Sequence, residues 1–310
     1  MAAASGVLAR QVHPRRAFRN GGERPRVRLG IAVPGLALYT MFVIYPSLSA
    51  VVDSFRSSKG VGTSGRFIGL ANYSAVLSSS IERQALVHTL EATLVIVIGS
   101  NLLGLGLALA LRESTKLNYL LRLLWFLPAA LPGIIAGFIW TFLYSPQGPI
   151  ATIWQAIAPG SVPPAFLGSP TEALWCIVAI AIWQSSGYSM IILLSGLQSI
   201  GREVLEAAKV DGASAFQRVR FVMLPLLRPA LTVSTILAVV SGMLLFDAVM
   251  ATTDGGPGYA TETLATQLYK QAFLFNRFGF GMAMGVLMAV AILAIVGMLS
   301  WAMNRRALGV

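Results

Sequence analysis

Long apolar runs separated by short polar segments dominate the chain. They lie near residues 30–52, 86–111, 122–144, 173–197, 226–250 and 280–303. Each reaches about 20 residues, the length of helix that crosses roughly 30 Å of hydrocarbon. Backbone inside lipid must satisfy its own hydrogen bonds, so the pattern predicts six transmembrane helices and an all-α membrane protein. Gly and Pro interrupt the runs, as at Pro34 and Gly35 in the first and at Pro128, Pro132, Gly133 and Gly137 in the third. Gly133 and Gly137 are four apart, as are Gly281 and Gly285, a spacing that suits close helix packing.

One polar island breaks the rule that the segments between runs are featureless. Residues 198–225 contain a stretch from Glu206 to Pro225 that forms helix well on either side of Asp211-Gly212. Such a stretch predicts two short helices meeting at a break outside the bilayer, the second ending at Pro225. A rigid elbow of small residues in a membrane protein implies a partner to which it is presented.

Charge decides which side that partner is on. The formal charge of +11 would suggest nucleic acid in a soluble chain, but here 56% of residues are hydrophobic and only 11% charged, against about 25% in soluble proteins. The basic residues mark topology instead. With the N-terminus inside, 17 Lys and Arg fall on inner segments and 6 on outer ones. This bias predicts cytoplasmic termini and a cytoplasmic elbow. Residues 1–28, with seven Arg and no apolar periodicity, are expected to be a basic cytoplasmic tail, as residues 306–310 are a short C-terminal one. No short apolar stretch with a small-residue cleavage site precedes the first run, which argues against a cleaved signal peptide.

Several chemistries are missing. None of Lys59, Lys116, Lys209 and Lys270 sits in a phosphate-binding loop, so this chain has no such route to ATP hydrolysis. Two His, His13 and His88, and the single Cys176 do not make a zinc site or an intrachain disulfide. Ionisable residues inside the runs are few. His88 and Glu91 have the spacing of an interfacial helical pair. Asp247, near the outer end of the fifth run, is either a substrate-facing acid or a structural hydrogen-bonding group. Trp125, Trp140, Trp175 and Trp301 suit an interfacial belt or packing.

Trp183 differs because it opens a polar window, Trp183-Gln184-Ser185-Ser186-Gly187-Tyr188-Ser189, inside an apolar run. An aromatic ring beside polar side chains is how proteins hold sugars. Helical spacing puts Trp183, Ser186, Gly187 and Met190 on one face and turns Tyr188 away from it. The same small residues would serve a plain helix–helix contact.

The elbow resembles that of permease subunits of ATP-binding-cassette (ABC) importers. Glu206-Ala207-Ala208, Asp211-Gly212-Ala213, Phe216 and Leu224-Pro225 match that family's hallmark in order and spacing. Further stretches resemble its carbohydrate-uptake, maltose-like branch: Phe67-Ile68-Gly69-Leu70-Ala71-Asn72-Tyr73, then Pro128, Gly137, Trp140 and Gly148, then Gly255-Gly256-Pro257, Thr261-Glu262-Thr263-Leu264, Tyr269 and Ala272-Phe273. The likeness runs from about residue 30 to 305. Gly201 stands where relatives often have Pro, and His88-Thr89 where Asn-Thr is common.

The resemblance implies a type I ABC importer permease fold in a bacterial plasma membrane. It implies that the elbow is the coupling-helix pair that docks on a cytosolic ATPase dimer, which would bind ATP and Mg, with no cofactor in this chain. It implies a second, related permease and an extracytoplasmic solute-binding protein as partners, and no nucleic acid. By position it points to Trp183, Ser186, Tyr188, Ser241, Gly242, Phe246 and Asp247 along the substrate pathway. Ser241 and Asp247, six apart, are expected on different faces of their helix. The implied cargo is a di- or oligosaccharide. Glycerol 3-phosphate or its diesters are the alternative, but no Lys or Arg lies within the fourth run and the fifth has only Arg228 at its inner end, which leaves little to meet a phosphate. A stand-alone secondary transporter would need no elbow.

Overall fold

The structure, a computed structural model, describes residues 29–63 and 65–305, so the expectations for the basic tail and for 306–310 lie outside the described residues. The chain divides into two units, one ending at Ser47 and one beginning at Leu48. In the first, α1 (Leu29–Tyr39) contains Pro34 and gives way to a π-helical turn at Thr40–Ile44. Helix α2 (Tyr45–Ser54) follows.

The remaining helices are α3 (Ala71–Ser78), α4 (Ser80–Ala110), α5 (Lys116–Ala130), α6 (Gly133–Leu143), α7 (Pro149–Ile157) and α8 (Ala173–Gln198). After them come α9 (Arg202–Val210), α10 (Ala215–Leu226), α11 (Arg228–Met243), α12 (Asp247–Thr252), α13 (Leu264–Tyr269) and α14 (Phe278–Arg305). Among the described residues there is no strand, only an isolated bridge between Arg56 and Phe67.

Among the described residues four helices are long and apolar enough to cross a membrane, and up to six spans result if each of two bent pairs is one span. The run near 122–144 is therefore not one helix as expected. Helices α5 and α6 meet at 102° because Pro132, with no N–H and a fixed φ, cannot continue α5. The run near 226–250 is also broken. Helix α10 continues through Pro225 to Leu226 and bends by 74° into α11. The wide π-helical turn at Arg218–Met223 lies directly ahead of that proline, whose ring crowds the turn before it. Helix α11 ends at Met243, Leu244–Phe246 are not helical, and α12 starts afresh at Asp247.

Helices α4 and α8 form the centre. Their contact is close because the residues facing each other are small: a Cβ on Gly99 would press on Ile182, and one on Gly104 would meet the Ser189 Cβ at 2.5 Å. Helix α11 joins through Gly242, whose Cβ would lie 2.8 Å from the Thr93 backbone. One buried cluster unites Ala92 and Ile96 of α4, Ile177, Val178 and Ala181 of α8, and Leu245, Ala248 and Val249 around α12. The paired glycines work as the spacing predicts: Gly133 and Gly137 seat α6 against Asp247 and Ala251 of α12, and Gly281 seats α14 against Ala272. The expected His88–Glu91 pair does not form. His88 Nδ1 is 3.2 Å from the Glu262 carbonyl and Glu91 is exposed.

The segment between α12 and α14 is pinned by charge. Lys270 Nζ donates to Glu262 Oε1 at 2.7 Å and lies 3.2 Å from Asp254 Oδ1. Burial alone lowers the pKa of this ammonium, but its bonds to Glu262 and Asp254 outweigh burial and hold it above the usual lysine value.

Candidate functional site

Two features are the candidates for function, an exposed elbow and a polar cavity. The elbow is built almost wholly from its own sequence. Helix α9 carries Glu203 in its first turn and Lys209 in its last, each favourable against the helix dipole. It closes in a Schellman motif, with Gly212 N donating to Lys209 O and Ala213 N to Ala208 O, both at 3.0 Å. That turn needs Gly212 at φ +78°, which a residue with a side chain rarely adopts. Ser214 then caps α10 in a reciprocal capping box with Gln217. Arg218 Nη1 donates to Ala213 O at 2.7 Å and clips the two arms together.

One side of the elbow is anchored. Leu205 and Val219 pack on a buried cluster in which Met223 and Leu227 meet Ala108 of α4 and Leu193, Leu194 and Leu197 of α8. The other side is open. Glu206, Ala207, Asp211, Gly212, Phe216 and Pro225 are exposed, while Ala208, Ala213 and Leu224 are half-buried. Val210 and Phe216 are 87% and 75% exposed. Apolar side chains left this bare beside charged ones mark a surface for a partner.

The cavity, of about 440 Å³, lies between α8, α11 and the start of α12, with the junction of α5 and α6 completing its wall. Tyr188, Ser241, Phe246 and Asp247 line it, together with Gln184, Ser185, Ser189 and Ser234. Of the seven expected pathway residues, Trp183, Ser186 and Gly242 are not in the lining. Trp183 stacks edge-on against Trp140, with centroids 5.5 Å apart. Ser186 is fully buried, donating to Trp183 O at 2.8 Å and accepting from Trp125 Nε1 at 3.0 Å. Gly242 is consumed by its contact with Thr93. The face holding Trp183, Ser186 and Gly187 is thus the helix contact, and the opposite face, with Tyr188, looks into the cavity. Gln184, Ser185, Tyr188, Ser189 and Ile192 follow the spacing i, i+1, i+4, i+5 and i+8, which was legible as the other half of the polar window.

Ser241 and Asp247 share the cavity, against expectation for their six-residue spacing, because the helix between them is interrupted at Leu244–Phe246.

The broken helices explain the polar residues that the window was not expected to use. Pro132 cannot donate to the carbonyl of Pro128, which accepts from Leu131 N at 3.2 Å; Gln184 Nε2 donates to the same carbonyl and also to Leu131 O, each at 3.2 Å. Tyr188 Oη donates to Ala129 O at 2.8 Å. Side chains of α8 therefore satisfy the loose end of α5, which in lipid would otherwise cost several kcal/mol for each orphaned group. Ser234 donates to Ser189 across the cavity wall at 3.0 Å.

Asp247 is the charged member. It begins α12, where a helix N-terminus favours a carboxylate. Its side chain lies against Gly133, where an added Cβ would come within 2.9 Å of Oδ2. It makes no hydrogen bond or ion pair among the described residues, and no Lys, Arg or His lines the cavity. The site offers hydroxyls, an amide, two aromatic rings and one free carboxylate.

Residues 100–308 match the family described as the binding-protein-dependent transport system inner membrane component. The chain belongs to this family. It is 32% identical over 262 residues to the trehalose/maltose transport system permease protein of Thermococcus litoralis, covering 84% of this chain and 88% of that one. It is 29% identical over 281 residues to the sn-glycerol-3-phosphate transport system permease protein of Agrobacterium fabrum, covering 86% and 90%. A crystal structure of a bacterial ABC transporter that imports the acidic polysaccharide alginate superposes with a TM-score of 0.79 over 90% of this chain and 95% of that one, at 21% identity. The fold is that of an ABC importer permease, and the chain is a multi-pass membrane transport component.

Proposed function

We propose that this permease subunit carries a neutral saccharide, a di- or oligosaccharide, through the cavity between α8, α11 and α12. The observation that carries the reading is the lining: serine hydroxyls, Gln184 and a partner-free Asp247 beside Tyr188 and Phe246, with no cation. Carboxylates and hydroxyls take paired sugar hydroxyls, rings cover the apolar face of the sugar, and a lone carboxylate repels phosphate. The cavity opens at the junctions of two interrupted spans, where half-helices can move as units. The trehalose/maltose relative supports a saccharide, while the glycerol-3-phosphate relative makes the charge of the lining the discriminating feature.

The elbow in this reading lies in the cytoplasm, as do both termini, and docks on one subunit of an ATPase dimer that binds ATP and Mg. A second permease forms the other half of the pathway, and an extracytoplasmic binding protein delivers the cargo. Closure of the ATPases moves the elbow, and its anchorage on α4 and α8 passes the motion to the cavity wall. Membership of a binding-protein-dependent family supports this arrangement over a stand-alone secondary transporter. The test is ATPase stimulation of the reconstituted complex across neutral sugars and glycerophosphodiesters. Neutral sugars are expected to stimulate, and stimulation by the phosphates alone would overturn the reading.

A further inference from the structure

A second cavity, of about 290 Å³, lies away from the transport cavity, in the seam between the end of α4 and helix α10 of the elbow. Its polar lining is Arg112, Glu113 and Arg218, over an apolar floor that includes Leu109, Val219 and Met223. The backbone that carries Arg112 and Glu113, and the Arg218 side chain, are held in place. Arg122, itself buried, donates from Nε to Leu111 O at 2.9 Å and from Nη2 to Glu113 O at 3.0 Å, which fixes the backbone on either side of Arg112. Arg218 is positioned by its bond to Ala213 O and keeps further donors free. Arg112 makes no hydrogen bond or ion pair among the described residues, and neither guanidinium pairs with Glu113. Two cations and an anion thus share one cavity without neutralising each other.

An apolar track leads into it along α4. Leu102, Gly106 and Leu109 follow one another at helical spacing on one face. Leu102 is 66% exposed, and a Cβ at Gly106 would meet nothing within 4 Å, so the face is open beside the glycine.

We propose that this seam binds one phospholipid with a primary-amine headgroup, of the phosphatidylethanolamine type. An acyl chain lies along α4 past Gly106, the phosphodiester meets Arg112 and Arg218, and the ammonium meets Glu113. The lining carries two positive groups and one negative, the complement of a headgroup that has both a phosphate and an ammonium. The level of the site rests on the proposed topology, which puts the elbow at the cytoplasmic face. The lipid bridges the end of α4 to the elbow and so braces the element that couples to the ATPase.

The whole complex, purified with its partner subunits in mild detergent, is offered equal amounts of phosphatidylethanolamine, phosphatidylglycerol and phosphatidylcholine, and native mass spectrometry reads what is retained. Phosphatidylethanolamine is expected to be retained over the other two. Arg112→Ala, which removes a side chain without partners and so does not threaten folding, is expected to lower its retention about fivefold, the worth of one cation near a lipid surface. Glu113→Gln is expected to abolish the preference over phosphatidylglycerol while leaving a phospholipid bound. Retention unchanged by Arg112→Ala, a wild-type preference for phosphatidylglycerol, or displacement of the lipid by excess inorganic phosphate would each overturn the proposal. Failure of sugars to stimulate the ATPase would count against the transport reading alone, since lipid retention is read without cargo.

Discussion

The elbow and the polar cavity are held by different kinds of bond. Every hydrogen bond that shapes the elbow joins residues at most five apart, from the Ala213–Ala208 closure to the Arg218–Ala213 clip. The bonds that shape the cavity join residues 45 to 59 apart, as in Ser234–Ser189, Gln184–Pro128 and Tyr188–Ala129. The part of the molecule proposed to receive the drive is a local structure on an anchored base. The part proposed to receive the cargo exists only when five helices have assembled. A substitution in the first should leave the fold and break communication, whereas one in the second should change the fold, the cargo or both.

The largest expected effect is at Gly212. Gly212→Val forces a β-branched residue to φ +78°, a conformation that costs about 1–2 kcal/mol for ordinary residues. Reconstituted complexes should keep ATPase activity and lose uptake by about tenfold or more, at unchanged membrane insertion. Glu206→Lys, which reverses an exposed charge on the docking side, should do the same. Normal uptake in both variants would remove the elbow from the drive.

Next comes Asp247→Asn. Hydrogen bonds to a charged group contribute about 1.5–3 kcal/mol, so the sugar concentration for half-maximal ATPase stimulation should rise about tenfold. Glycerophosphodiesters, no longer repelled, should begin to stimulate. A variant with unaltered sugar response would move the binding site elsewhere.

Gln184→Leu should act on stability first. It leaves the Leu131 carbonyl without its donor, while Pro128 O keeps the bond from Leu131 N, at a cost of about 1–3 kcal/mol. A lower thermal midpoint of the purified complex would show it, and an unchanged one would mean that the bend between α5 and α6 supports itself.

The smallest effect sharpens the contrast within one helix. Trp183→Phe keeps a ring against Trp140 and lies outside the cavity lining, so uptake should change by no more than about twofold. Tyr188→Phe, five residues along and on the cavity face, should raise the half-maximal sugar concentration several-fold. A larger effect from Trp183 than from Tyr188 would reverse the assignment of the two faces.

By itself the amino-acid sequence determined the helical class, the apolar runs and the elbow, because each depends on neighbours in the chain. Hydrophobicity over about 20 residues marks a span, and Gly212, Ser214 and Gln217 mark a turn and a cap whatever surrounds them. It also supplied the polar window and Asp247. Tertiary structure alone decided which half of the window faces the cavity, since both halves of α8 carry small or polar residues and only the packing of Trp125, Trp140 and Ala129 selects between them. It decided as well that Ser241 and Asp247 meet. Periodicity assumes an unbroken helix, and the break at Leu244–Phe246 is tolerated because Leu245 is buried among residues of α4 and α8 that are distant in sequence.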